Sequence, residues 1–245
     1  MSDKTISMDD IKYALPLWDY EILNEPVERN ADAIVLLGSF DLYTAKVAAG
    51  LVLSDFSDTL IICGGATGRN YELLTKPYRG ITLAEILAKE VDNYGVKYEL
   101  LKETKNTGDD IKSACNLLKS QKKKTQYVIG VHMPSSERRD KAVFQKQWIG
   151  LEKVFMVSPK MAMEEYKEKG YMGLFTWKHF IEDLMGDFQR TFIYSRPEFG
   201  FQVPQTKMPP KKVLDSYQQL LERGFTSLLV RKKNNEFYSV EDFSL

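Results

Sequence analysis

Four short polar clusters stand where an apolar run has just ended. They are Gly38-Ser39, Gly64-Gly65, Asn106-Thr107-Gly108-Asp109-Asp110 and Pro134-Ser135-Ser136-Glu137-Arg138-Arg139. Each offers groups suited to a polar or phosphate-bearing ligand. Gly38 and Gly65 let a ligand approach the backbone closely. Thr107, Ser135 and Ser136 bring hydroxyls to predicted helix starts, where backbone N–H groups point outward. Arg138 and Arg139 add charge and forked donors, while Asp109 and Asp110 accept from ribose or amine groups. Each residue also has a plain structural use as a tight turn, a helix cap or a surface charge. Caps and turns alone do not require glycine pairs beside adjacent arginines, and that convergence favours one shared ligand site.

The apolar runs between these clusters predict the elements that must position them. Residues 33–37 and 59–63 are continuous apolar runs, as parallel strands covered on both faces require. The segment 41–53 between them reads as a helix with Leu42, Ala45, Ala49 and Val52 on one face. That is a βαβ unit, whose turns at the carboxyl ends of the strands form the ligand crevice. A long connection over 66–80 carries Arg69, Asn70, Tyr71 and Tyr78. A helix then starts at Thr82, where Thr82 and Glu85 have capping-box spacing, and Gly95 marks its stop. A strand near 97–101 leads to a second capping-box pair, Thr107 and Asp110, ahead of a helix with Ile111, Ala114, Cys115 and Leu118 on one stripe. Strands at 126–131 and 154–157 flank a helix from Glu137. All four polar clusters therefore open on one sheet edge.

The chain ends lie outside this alternation. Residues 8–30 predict one or two short amphipathic helices broken near Pro16. After Pro159 the pattern turns helical over 160–169, 174–194 and 213–223, with a small hairpin over 227–230 and 236–240. The expectation is an α/β fold with a Rossmann-like, doubly wound, mostly parallel sheet over 31–159. Residues 1–30 and 160–245 build a helical appendage on it from both chain ends.

Composition narrows the function. Lys+Arg and Asp+Glu each number 34, so the balance argues against a nucleic-acid binder. Cys63 and Cys115 lie in apolar periodic stretches and read as buried free thiols. With only His132 and His179 beside them, no metal is expected. No apolar stretch resembles a leader or a membrane span, which predicts a cytoplasmic, reduced protein. There is no Gly-Lys-Ser/Thr phosphate loop, no G-x-G-x-x-G fingerprint and no G-x-S-x-G elbow. Asp32 precedes the first strand, so a nucleophilic aspartate at the strand end is not evident. His132 reads either as a base beside the fourth strand or as a structural group.

The succession Asp32-Ala33-Ile34-Val35-Leu36-Leu37-Gly38, Cys63-Gly64-Gly65, Asn106-Thr107-Gly108-Asp109 and Pro134-Ser135-Ser136-Glu137-Arg138-Arg139 resembles the YdcF/SanA/ElyC family, a bacterial domain of unknown function. The likeness spans roughly 32–157 and is closest to the soluble YdcF-like branch. It implies a Rossmann-like domain with added helices, and S-adenosylmethionine or a nucleotide-like ligand; membrane-anchored relatives are linked to envelope biogenesis. The family's Ser-x-Asn-Thr-x-Glu-Asn reads here Thr104-Lys105-Asn106-Thr107-Gly108-Asp109-Asp110.

The combined expectation is a small-molecule binder for S-adenosylmethionine or a related adenine nucleotide. It is a transferase or hydrolase if a reaction is catalysed. Gly38, Ser39, Gly64 and Gly65 form the floor of the crevice; Asn106, Thr107 and Asp109 hold polar groups; Ser135, Ser136, Arg138 and Arg139 hold an anionic or carboxylate end. The alternative is a non-catalytic sensor or envelope-related factor that uses exposed aromatics such as Trp177 or Phe201 as an interface.

Overall fold

The apolar runs pair as parallel strands β1 (Ala33–Leu36), β2 (Leu60–Cys63), β3 (Glu99–Leu101), β4 (Tyr127–Val131) and β5 (Lys153–Val157) in the order β3-β2-β1-β4-β5. The computed structural model describes residues 6–66, 80–170 and 175–243. Arg69, Asn70, Tyr71, Tyr78 and the start of the helix expected from 174 lie outside them. β1 sits at the centre, with Ile34 opposite Leu60 on one side and Ile129 on the other.

Side chains alternate along each strand, so both faces must be covered. Ile34, Leu36, Leu60, Ile62, Ile129 and Val131 face α2 (Leu42–Leu53) and α3 (Leu83–Asp92), through Ala45, Ala48, Ala49, Leu87 and Val91. Val35, Leu37, Ile61, Cys63 and Val128 face α4 (Thr107–Ser120) and α5 (Glu137–Gln147), through Ile111, Ala114, Leu118, Val143 and Phe144. The fold is thus the doubly wound, Rossmann-like α/β arrangement. Cys63 and Cys115 are buried free thiols.

A third core lies beyond the sheet. It joins α1 (Met8–Glu21) to α6 (Met163–Lys169), α7 (Trp177–Ile193) and α8 (Lys211–Glu222) around Trp18, Tyr166, Phe180, Phe188 and Tyr217. Phe40, Leu83 and Met133 belong to the same core. These three residues follow β1, β2 and β4, so the appendage seats itself on the carboxyl edge of the sheet.

Two expectations are corrected. α1 runs unbroken through Pro16, with Ser7 and Asp10 forming its capping box. Pro costs a helix interior roughly 3 kcal/mol, and burial of Ala14, Leu17 and Trp18 along one face offsets it. The C-terminal hairpin shrinks to a single antiparallel bridge, Arg231 to Phe237. Gln189 of α7 takes the backbone groups that a ladder needs, accepting from the Val230 N–H at 2.7 Å and donating to the Val230 carbonyl at 3.2 Å. Among the described residues no helix is long and apolar enough to cross a membrane.

Candidate functional site

A cavity of about 340 Å³ opens at the carboxyl edge of the sheet. It spans the ends of β1 and β4, where the strand order reverses direction, the place where open α/β sheets take ligands. The sheet contributes Gly38, Ser39, Phe40, Gly64, Gly65, His132 and Met133. The β3–α4 turn contributes Thr104 to Gly108 and Asp110. The opposite wall is Arg139 and Val143 of α5 with Asp183, Asp187 and Arg190 of α7, its C-cap Tyr194, and Phe201. The three α7 residues and the C-cap follow helical spacing along one stripe.

The glycines are required by the chain itself. A Cβ on Gly38 would sit 2.7 Å from Gly64 Cα, and one on Gly65 would sit 1.9 Å from the Thr104 carbonyl oxygen. Gly64 also has φ +138°, a conformation that side chains oppose. The first two turns touch backbone to backbone, and the cavity floor is the outer surface of that contact. Ser39 points its hydroxyl inward, accepting from the Asp41 N–H at 3.2 Å beside Thr44 Oγ1. Asp41 caps α2 through Tyr43 N–H and accepts from the Tyr166 hydroxyl at 2.7 Å. Burial pushes the Asp41 carboxyl up to about 6, against the pull of that hydroxyl.

Asn106, not Thr107, caps α4: its Oδ1 accepts from the Asp109 N–H at 3.0 Å. Asn106 and Thr107 line the cavity, whereas Asp109 lies on the outer side of the first turn. Its neighbour Asp110 turns inward, only 4% exposed, and accepts from the Gly38 N–H at 3.2 Å through Oδ2. Asp110 Oδ1 and the Thr104 hydroxyl are buried near one another without a well-aligned hydrogen bond. Burial pushes Asp110 up to about 6, and the nearby Thr104 hydroxyl tempers the shift. A buried polar atom left unmet costs about 1–3 kcal/mol.

Beyond β4 the expected anion clamp is divided. Ser135 and Ser136 donate to Asp187 Oδ2 at 3.2 and 2.9 Å, and Ser136 makes no cap bond to α5. Neither faces the cavity. Arg138 points away altogether: it donates to the Tyr20 carbonyl at 2.7 and 2.9 Å and lies 3.9 Å over the Tyr20 ring. The adjacent positions diverge because successive helical residues are about 100° apart. Arg139 alone of the pair reaches the cavity. It bonds Asp140 at 3.0 Å and pairs with Asp187. Burial opposes its charge, but these two carboxylates hold it protonated.

His132 completes this buried network. Its Nδ1 lies 2.5 Å from Asp140 Oδ2 and its Nε2 lies 3.3 Å from the Gly38 carbonyl oxygen. Arg139 bonds the other oxygen of Asp140 at 3.0 Å, and the Gly38 carbonyl oxygen can only accept. A proton on each ring nitrogen fits these two partners. Burial works against the imidazolium, yet Asp140 raises its pKa above the ordinary value. Of the two readings of His132, the structural one is favoured, because buried partners engage both ring nitrogens.

The arrangement is thus an apolar chamber with a cationic pair, His132 and Arg139, on one side. On another side Asp110 and Thr104 present unmet acceptor and hydroxyl groups. Among the described residues no group of three or more His, Cys, Asp or Glu is placed to hold a metal. Thr104 and the α7 stripe escaped sequence reasoning, whereas Asp110, read there as an acceptor for ribose or amine groups, does line the cavity. The signal for the stripe is present in hindsight: Asp183, Asp187 and Arg190 recur at helical spacing inside a run of large apolar residues.

No family model matches the chain. It is similar to a Streptomyces coelicolor protein, the uncharacterized protein SCO4629, with 28% identity over 219 residues, 87% of this chain and 91% of that one. That length exceeds residues 31–159, so the likeness takes in appendage residues as well as the sheet.

Proposed function

We propose that this chain binds S-adenosylmethionine or a related adenine nucleotide in the cavity above β1 and β4, as a cytoplasmic member of the YdcF-like branch. The supporting observation is the cavity at the strand-order reversal, with buried ionisable groups set in a largely apolar lining. Its volume lies within the range of small-molecule sites, about 300–1,000 Å³. Arg139 is already shared between Asp140 and Asp187, which leaves little for a triphosphate. A ligand with its own positive charge and hydrogen-bond donors suits Asp110 better, and S-adenosylmethionine has both.

A non-catalytic ligand sensor is the second reading, and one observation favours it. The hydroxyls of Ser135 and Ser136 and both ring nitrogens of His132 are committed to buried partners, so neither serine pairs with this histidine as nucleophile and base.

Native mass spectrometry and thermal shift with S-adenosylmethionine, S-adenosylhomocysteine, ATP and NAD test the reading. A ligand at a hundred times its Kd stabilises by about 2.7 kcal/mol. Stabilisation by S-adenosylmethionine above ATP is expected, and no shift with any of the four sinks the proposal. Turnover of the bound ligand separates enzyme from sensor.

A further inference from the structure

We infer that Asp110 and Thr104 form a subsite that receives a primary ammonium group of the bound ligand. The inference deepens the adenosyl-ligand reading and rests on it for the identity of the ligand, but not for the chemistry of the subsite. Both side chains are nearly buried, at 4% and 5% exposure, and both line the cavity. Asp110 Oδ1 and Thr104 Oγ1 make no well-aligned hydrogen bond, although the Thr104 hydroxyl is close enough to Asp110 to lower its pKa.

The rest of Asp110 is fixed, which gives the subsite its direction. Oδ2 takes the Gly38 N–H at 3.2 Å, and the main-chain carbonyl oxygen of Asp110 receives the Cys63 thiol at 3.7 Å. Only Oδ1 is left to meet a ligand. It can accept but not donate while ionised, so the matching group must carry hydrogen. The hydroxyl of Thr104 can accept a second hydrogen from the same group. An ammonium supplies three donors and the compensating charge for a carboxylate that burial disfavours. An anionic group would instead face repulsion from Asp110.

The test uses the full chain and two probes. Isothermal titration compares S-adenosylmethionine with its analogue carrying hydroxyl in place of the ammonium, on wild type, Asp110→Asn and Thr104→Val. In Asp110→Asn one amide oxygen still takes the Gly38 N–H, and the amide NH₂ turns to the cavity and repels an ammonium. We expect affinity for S-adenosylmethionine to fall at least about tenfold (1.4 kcal/mol) in Asp110→Asn and less in Thr104→Val. The hydroxy analogue should bind wild type and Asp110→Asn alike. Equal loss for both ligands, or no loss, overturns the subsite. If neither ligand binds wild type, the adenosyl reading fails by itself and a second measurement decides the subsite. The carboxyl ¹³C signal of Asp110 is titrated in ethanolammonium chloride and in sodium chloride of equal ionic strength. Ethanolammonium should lower its midpoint, whereas identical midpoints overturn the inference.

Discussion

Arg139 of α5 and Asp187 of α7 form an ion pair buried across the joint between the sheet and the helical appendage. Asp187 also accepts from Ser135 and Ser136, and Arg139 reaches back to Asp140, which holds His132. One connected set of buried polar groups thus runs from the appendage to the end of β4. Arg139→Met should leave Asp140 and Asp187 buried without their shared cation. Breaking such a pair costs about 3–5 kcal/mol, read as a lower urea midpoint at pH 7. A cost below about 1 kcal/mol would place the pair among solvent-screened ones.

His132 should be doubly protonated at neutral pH, and ¹⁵N chemical shifts of its ring report this directly. Its folded pKa is raised, so its contribution to stability is complete below the unfolded value of about 6.5. That contribution is lost as pH rises through the folded value. The stability difference between wild type and His132→Gln should therefore shrink from pH 6 upward. A ring with one bare nitrogen at pH 7 would return the residue to the role of a base.

Glu21 is fully buried in α1, and burial pushes its carboxyl up to about 8. The Thr191 hydroxyl lies 3.0 Å from the Asp187 carbonyl oxygen and 3.3 Å from Glu21 Oε2, and its donation to Glu21 offsets only part of the effect of burial. The native state then holds a proton that the unfolded chain has released above about pH 4.3. Stability must fall as pH rises from there toward 8. Asp41 and Asp110, both raised to about 6, act in the same direction lower in the window. Glu21→Gln keeps the shape without the titration. Urea melts at pH 5 and 8.5 should show a flatter profile for the variant, more stable than wild type by about 2 kcal/mol or more at the higher pH. Parallel profiles would argue against a neutral Glu21.

Gly65→Ala drives a methyl into the Thr104 carbonyl, and Gly38→Ala drives one into Gly64. Each should cost at least about 1–3 kcal/mol, as overpacking does, and the contact involves backbone on both sides, so relief is small. Thermal denaturation checks this; tolerance of alanine at Gly65 would mean that the β3–α4 turn moves freely.

Arg138→Ala separates the two adjacent arginines. Arg138 serves α1 through Tyr20, so the variant should lose about 1–2 kcal/mol from its hydrogen bonds and ring contact. Affinity for S-adenosylmethionine should stay at the wild-type value. Reduced binding with unchanged stability would bring Arg138 back to the cavity.

The sequence by itself determined the α/β alternation and the edge on which the four turns open. Short-range facts carry that much: continuous apolar runs such as 33–37 bury both faces, and Thr82 with Glu85 forms its cap from neighbours three residues apart. It also marked the glycines, although their reason is contact between turns rather than approach of a ligand. Which side chains reach the cavity was decided only in the tertiary structure. Ser136 meets Asp187, 51 residues later, and Arg138 meets Tyr20, 118 residues earlier. Nothing local to Pro134–Ser136 or α5 announces those partners. Asp110 turned inward and Asp109 outward because α4 is capped at Asn106, one residue before the predicted cap. Local periodicity decides which elements form. A polar side chain at an element's end goes to whichever buried partner long-range packing brings within reach, because leaving it unmet costs more than any local preference gains.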